Sequence, residues 1–308
     1  MNEDITGGEH GGDAGAIAQA LGIDRASLID LSMSMNPVAP DVRTVLADRL
    51  DSVVDYPDDL AATLAVAGAI EVDRSQVVLT NGGAEAIALV ASTMDAGHVV
   101  EPEFSLYARH LDALDPDAPR WRSNPSNPLG RLADDGEEAA VWDEAFWPIA
   151  TGTWTDRRLD DRHVWRLGSL TKLWACPGLR LGYVIAPDDR SADIVRRRQP
   201  RWSVSSLALA AVEPMLAQTD LVAWSKTIAD LRRSFVDAIG ANGFGVVDTD
   251  VNWVLIDGEV GLRERLIPYG VLVRDCTNFG LAGVSRVAVP RVDEMERVLR
   301  AFERTGPA

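Results

Sequence analysis

One passage constrains the fold more than any other. Val77-Val78-Leu79-Thr80 is a short apolar strand, Asn81-Gly82-Gly83-Ala84-Glu85 interrupts it, and a helix is predicted from Ala86 to Met94. Strand, glycine turn and helix together are the repeating unit of α/β folds. The same turn can serve as an anion site, because free N–H groups at a helix start point outward and the helix dipole adds to them. Many α/β folds carry such a turn for packing reasons alone, so chemistry has to be read elsewhere.

It is read at a lysine. Of 30 Lys plus Arg, two are lysines, Lys172 and Lys226, and the remaining 28 are arginines. Arginine cannot lose its proton near neutral pH and cannot form a Schiff base, whereas a lysine with a lowered pKa can. Lys226 lies in a polar, helix-like run from Trp224 to Phe235 and reads as a solvated side chain. Lys172 lies between two apolar, strand-like segments, His163 to Leu167 and Leu181 to Ala186, where a catalytic loop would sit.

The chain of 308 residues is 46% hydrophobic, enough for a large core divided between one large and one small domain. Cys176 and Cys276 give no disulfide framework. No basic, apolar leader opens the sequence and no segment has the length of a membrane span, so a cytoplasmic enzyme is expected. A formal charge of −17 argues against binding nucleic acid or an acidic membrane.

Ser169-Leu170-Thr171-Lys172, followed by Pro177-Gly178-Leu179-Arg180-Leu181-Gly182-Tyr183, resembles the cofactor-lysine segment of fold-type I pyridoxal-phosphate enzymes. It is most similar to the branch that holds histidinol-phosphate aminotransferases and threonine-phosphate decarboxylases. That resemblance implies an α/β fold with a mostly parallel sheet flanked by helices and a smaller α+β domain. It places the large domain at 38–215 and the small one at 1–37 plus 216–308. It also implies pyridoxal phosphate held by Lys172, with Ser169, Thr171 and Arg180 on the cofactor phosphate and no metal. A dianionic phosphate wants such a fork of charge-assisted donors.

Other motifs extend the resemblance. Asn127, in Asn124-Pro125-Ser126-Asn127-Pro128-Leu129-Gly130, would bond the ring oxygen. Asp143, in Trp142-Asp143-Glu144-Ala145-Phe146, would keep the ring nitrogen protonated so that the ring accepts electrons. Tyr107, in Pro102-Glu103-Phe104-Ser105-Leu106-Tyr107, would stack on the ring. Gly83 and Ala84 would bind the phosphate through backbone groups, since Ala84 replaces the hydroxyl or aspartate frequent in the family. Tyr56, in Asp55-Tyr56-Pro57, would reach the phosphate of a neighbouring subunit, which implies a homodimer.

The substrate end is similar to the decarboxylases. His10, in His10-Gly11-Gly12-Asp13, and Asn36, before Pro37, would lie near a substrate phosphate. Arg274, in Arg274-Asp275-Cys276-Thr277-Asn278-Phe279, would bind that phosphate, and Arg286 the α-carboxylate. Asp13 stands where the family has asparagine, and a carboxylate there would repel phosphate unless it serves as a helix cap. Phe146, where many aminotransferases have tyrosine, also favours the decarboxylases.

The spacing departs from the family between Tyr107 and Asp143. Eight residues, Arg131 to Glu138, separate the Asn-Pro turn from the next strand, too few for a helical crossover. A compacted large domain that has lost a helix is expected. The reading is a decarboxylase of L-threonine O-3-phosphate that yields aminopropanol phosphate for cobalamin. The alternatives are an aminotransferase of the histidinol-phosphate type and a pyridoxal-phosphate binder without turnover.

Overall fold

The computed structural model describes residues 11–159 and 162–308; His10 lies outside them. The chain divides into two compact units. The first comprises Ala39–Asn127 and Leu132–Ser225, the second the described residues up to Val38 with Pro128–Arg131 and Lys226–Ala308.

The first unit is built on a six-stranded sheet. Its spatial order is Val77–Thr80, Gly182–Ile185, Trp165–Gly168, Val141–Asp143, Arg120–Ser123 and His98–Val99. The last four are parallel, and Gly182–Ile185 runs antiparallel to both of its neighbours. The edge strand Val77–Thr80 and its neighbour Gly182–Ile185 are both buried along their whole length, which is why they read as continuous apolar runs. The helix Gly82–Ala91 packs Ala86, Ile87, Leu89 and Val90 into the core beside Val78, Val141 and Val184.

That helix begins at Gly82, four residues before the expected start. Glycine is a poor helix former in the interior, but the first turn loses no intrahelical N–H bond by holding it. Between the parallel strands Arg120–Ser123 and Val141–Asp143 the described chain contains no helix, as the short spacing requires. Part of this connection, Pro128–Arg131, belongs to the second unit: Trp253 Nε1 donates to the Pro128 carbonyl at 3.0 Å.

The second unit has a four-stranded antiparallel sheet, ordered Arg274–Asp275, Ser285–Ala288, Trp253–Asp257 and Gly245–Val247. A parallel pair, Ile29–Asp30 with Val271–Leu272, joins the N-terminal arm to it. The helices Leu221–Ala241 and Val292–Thr305 cover the sheet, the second through Val298, Ala301 and Phe302. Leu221–Ala241 contains the helix-like run read from Trp224 to Phe235, and Lys226 lies on its solvated face in an ion pair with Asp230 at 3.2 Å.

Candidate active site

The residues expected around a cofactor collect at one end of the first unit's sheet. The strand Trp165–Gly168 stops at Gly168. Ser169 then caps the short helix Leu170–Leu173, its hydroxyl accepting from the Lys172 N–H at 3.3 Å. Lys172 is half-buried, with Nζ 5.6 Å from the centre of the Phe146 ring. Phe146 ends the loop that follows the neighbouring strand, Val141–Asp143, so two adjacent strand ends bring the amine and Asp143 together.

Asp143 is held from two sides. The Tyr107 hydroxyl donates to Oδ2 at 2.8 Å, and the Ala145 N–H donates to Oδ1 at 2.9 Å. Loss of water around the carboxyl pushes its pKa up, while these two donors and the charge of Lys172 pull it back down. Burial and the charge of Asp143 push the Tyr107 phenol up, so it is a standing donor. Such a carboxylate, fixed and short of water, is suited to hold a proton on a ring nitrogen.

The glycine turn supplies an anion cradle. Gly82 has φ +75°, and a Cβ there would collide with the Arg180 guanidinium. Arg180 itself has φ +57°, an uncommon conformation for a residue with a side chain. A Cβ at Gly83 would lie 4.0 Å from the Ser169 Cβ. The helix start at Gly82–Gly83, the Ser169 hydroxyl and the Arg180 guanidinium therefore share one corner. This is the donor set that a phosphate monoester wants, so the corner fits pyridoxal phosphate. Ala84 is in the first turn of the same helix.

Three expectations change. Thr171 is not available to a phosphate, because its hydroxyl donates to the Leu181 carbonyl at 3.0 Å and accepts from the Leu181 N–H at 2.9 Å. It clamps the lysine loop instead. Tyr107 is completely buried, packed edge-on against Phe104 and tilted against Trp121. Its ring therefore has no open face on which a cofactor could stack, and its hydroxyl positions Asp143. Asp13 precedes the helix Ala14–Leu21 but makes no side-chain cap; it accepts from Arg263 Nη2 at 2.6 Å. The feared carboxylate is engaged by a buried arginine.

Tyr56 is 79% exposed and lies against Trp202, ring centres 4.6 Å apart. Asn127 is buried, and its N–H donates to the Ser123 hydroxyl at 2.8 Å.

In the second unit, Arg274 and Arg286 are opposed across the antiparallel pair Arg274–Asp275 and Ser285–Ala288. Both are buried. Desolvation lowers the pKa of each, Arg286 to about 10, and their mutual repulsion adds to the lowering at Arg286. Arg286 Nη2 donates to the Ser32 carbonyl at 3.1 Å, and its guanidinium stacks 5.2 Å from the Trp253 ring centre. Gly11 and Gly12 pack on Ser32: a Cβ at Gly11 would overlap its backbone, and the Gly12 N–H donates to its hydroxyl at 3.0 Å. Asn36, buried in the same arm, caps its own turn by accepting from the Val38 N–H at 3.0 Å. Arg263 and Ser32 were missed in the sequence. A lone arginine on a helix and a serine after a strand carry no local signal, since their importance comes from contacts across 250 and 254 residues.

Known proteins resemble this chain along nearly its whole length. The family model described as aminotransferase class I and II matches residues 122–302. The threonine-phosphate decarboxylase of Salmonella typhimurium is 30% identical, over 95% of this chain and 95% of its own length. A histidinol-phosphate aminotransferase of Pseudomonas aeruginosa is 28% identical over 93% and 91%. Among solved structures, histidinol-phosphate aminotransferase from Sinorhizobium meliloti, in complex with pyridoxal-5'-phosphate, has a TM-score of 0.81 at 17% identity, covering 99% of this chain and 97% of that one. L-threonine-O-3-phosphate decarboxylase from Porphyromonas gingivalis has a TM-score of 0.76 at 21% identity, covering 89% and 98%. The chain belongs to the aminotransferase class I and II family, with the fold-type I architecture of its structural neighbours.

Proposed function

We propose that this chain is a pyridoxal-phosphate enzyme that decarboxylates L-threonine O-3-phosphate to aminopropanol phosphate, a step that fits cobalamin biosynthesis. The observation that carries the reading is the buried, opposed pair Arg274 and Arg286. Two guanidiniums at cross-strand spacing suit a small substrate with two anionic ends, a carboxylate and a phosphate. Histidinol phosphate has one such end. The decarboxylase from Salmonella typhimurium at 30% identity supports the same choice.

In this reading Lys172 holds the cofactor covalently. Ser169, Arg180 and the N–H groups at Gly83 and Ala84 bind its phosphate, Asn127 its ring oxygen, and Asp143 keeps a proton on its ring nitrogen. When bound, pyridoxal phosphate supplies an electron-withdrawing ring that accepts the electron pair left on Cα. Arg286 binds the α-carboxylate and Arg274 the phosphate, with Asn36 near it. Together they set the rotation of the substrate so that the bond to the carboxylate is the one that breaks. Tyr107 keeps Asp143 in place for the proton at the ring nitrogen.

We also infer a homodimer. Exposed Leu50, Val53, Val54 and Tyr56 lie on one stretch of the first unit, and Trp202 stacks on Tyr56. Apolar groups so concentrated suit an interface, with Tyr56 completing a partner's phosphate site. Incubation with phosphothreonine, with and without a keto-acid acceptor, tests the reaction. Release of CO2 and aminopropanol phosphate without acceptor is expected. Strict dependence on the acceptor would transfer the reading to a histidinol-phosphate type aminotransferase, and bound cofactor with no reaction would favour a binder without turnover.

A further inference from the structure

A buried carboxylate stands behind this site with no part in the chemistry above. Glu103 is 3% exposed, in the loop between the strand His98–Val99 and the helix Leu106–His110. Three donors converge on it. The Ser123 N–H donates to Oε1 at 3.0 Å; the Ser123 hydroxyl donates to Oε2 at 2.5 Å; and the Phe104 N–H donates to Oε2 at 3.3 Å. Ser123 is the cross-strand partner of Asp143, and the Asn124 N–H donates to the Asp143 carbonyl at 2.8 Å. The Ser123 hydroxyl also accepts from the Asn127 N–H.

A hydroxyl has one proton. With that proton on Glu103, the lone pairs of Ser123 are left for Asn127, so the carboxylate decides which way the hydroxyl points. We propose that Glu103 is a positioning residue that acts through the Ser123 hydroxyl to fix Asn127 and the strand end carrying Asp143. The inference rests on the reading of this corner as a pyridoxal-phosphate site.

The surrounding charges agree. Arg122 Nη1 lies 3.7 Å from Glu103, while Nε of the same guanidinium donates to Glu137 at 2.8 Å and the Glu103 N–H donates to the Glu101 carboxylate at 2.8 Å. Glu103 also raises the pKa of the Tyr107 phenol, which places its charge within reach of the Tyr107–Asp143 pair. Burial pushes Glu103 itself up to about 7, with the Ser123 donors and Arg122 opposing. A buried carboxyl so placed is costly unless its donors need it.

The substitution Glu103→Gln keeps the shape and removes one acceptor, so three donors face a single carbonyl oxygen. Ser123→Ala keeps the charge and deletes the relay. Both variants and the unmodified protein are stripped of cofactor and titrated with pyridoxal phosphate by tryptophan fluorescence. The visible band is then followed against pH, with thermal melting as the control for folding. Each variant should bind the cofactor about tenfold more weakly, and the double variant no more weakly than either single one. Ser123→Ala should also raise the pH midpoint of the visible band, because Asn127 no longer supports the deprotonated form. A band in the unmodified protein with unchanged affinity and midpoint in both variants would overturn the inference alone. Additive losses in the double variant would also overturn it, since Glu103 would then not act through Ser123. Absence of the band in the unmodified protein would overturn the reading of the site and this inference with it.

Discussion

Arg274 faces Arg286 directly across two antiparallel strands, and both side chains are buried. Like charges in that relation destabilise a sheet. The fold offsets the repulsion with aromatic faces, Phe279 at 5.6 Å from Arg274 and Trp253 at 5.2 Å from Arg286. The carboxylates of Asp13 and Asp275 also lie close enough to favour the charged form of Arg274. A doubly anionic ligand would add opposite charge between them.

Arg274→Lys should therefore be damaging although the charge is kept, because a point charge cannot replace a bidentate fork. A loss of about 2 kcal/mol in substrate binding is expected, roughly a thirtyfold rise in KM for phosphothreonine. An unchanged KM would remove Arg274 from the substrate site. The unfolding midpoint should not fall, since the repulsion with Arg286 is not increased.

Gly82→Ala tests the anion corner. The new Cβ would collide with Arg180, and φ +75° is strained for alanine. Either the turn or the arginine must move, and about 1–2 kcal/mol is at stake. Equilibrium dialysis against pyridoxal phosphate should show roughly tenfold weaker binding, while circular dichroism at 25 °C stays native. Full affinity in this variant would show that Arg180 does not serve the phosphate.

Much of this was legible in the sequence because the informative residues are punctuation. The glycine pair at 82–83, Lys172 (one of two lysines among 28 arginines) and the Asn-Pro turn at 124–125 are local signals, and each follows a strand end in the structure. What was not legible depends on long-range contact. Thr171 reads as a phosphate ligand by its place beside Lys172, yet its distance from Leu181 decides its role. Tyr107 reads as a stacking ring, and the core around Trp121 buries it. Glu103 reads as a loop residue, because nothing local says that Ser123 will sit on it.

Glu144, next to Asp143, should make stability depend on pH. Its carboxyl accepts from the Thr155 hydroxyl and the Asp156 N–H, and burial pushes its pKa from 4.5 to about 7 against these donors. Between those values the folded protein keeps a proton that the unfolded chain releases, so stability present at pH 4.5 is lost as pH rises toward 7. The full effect is on the order of 3 kcal/mol. Glu144→Gln should flatten this part of the dependence when thermal midpoints are compared from pH 5 to 8. Parallel curves for the two proteins would mean that Glu144 is already ionised in the fold.

Phe146 offers the last test, because it sets what the lysine amine can feel. Its ring lies 5.6 Å from Lys172 Nζ, where an aromatic face favours a protonated amine by about 0.5–2 kcal/mol. Tyrosine would keep that face and add a hydroxyl able to donate to the cofactor's ring oxygen. Donation there favours the form that has lost its proton, so the two effects can be separated. Phe146→Tyr should lower the pH midpoint of the visible absorption by about one unit, the value of one added hydrogen bond. Phe146→Leu, which removes the face and adds no donor, should lower it less. If Phe146→Tyr left the midpoint where it was, position 146 would lie beyond reach of the ring oxygen, and its phenylalanine would lose its weight in favour of decarboxylation.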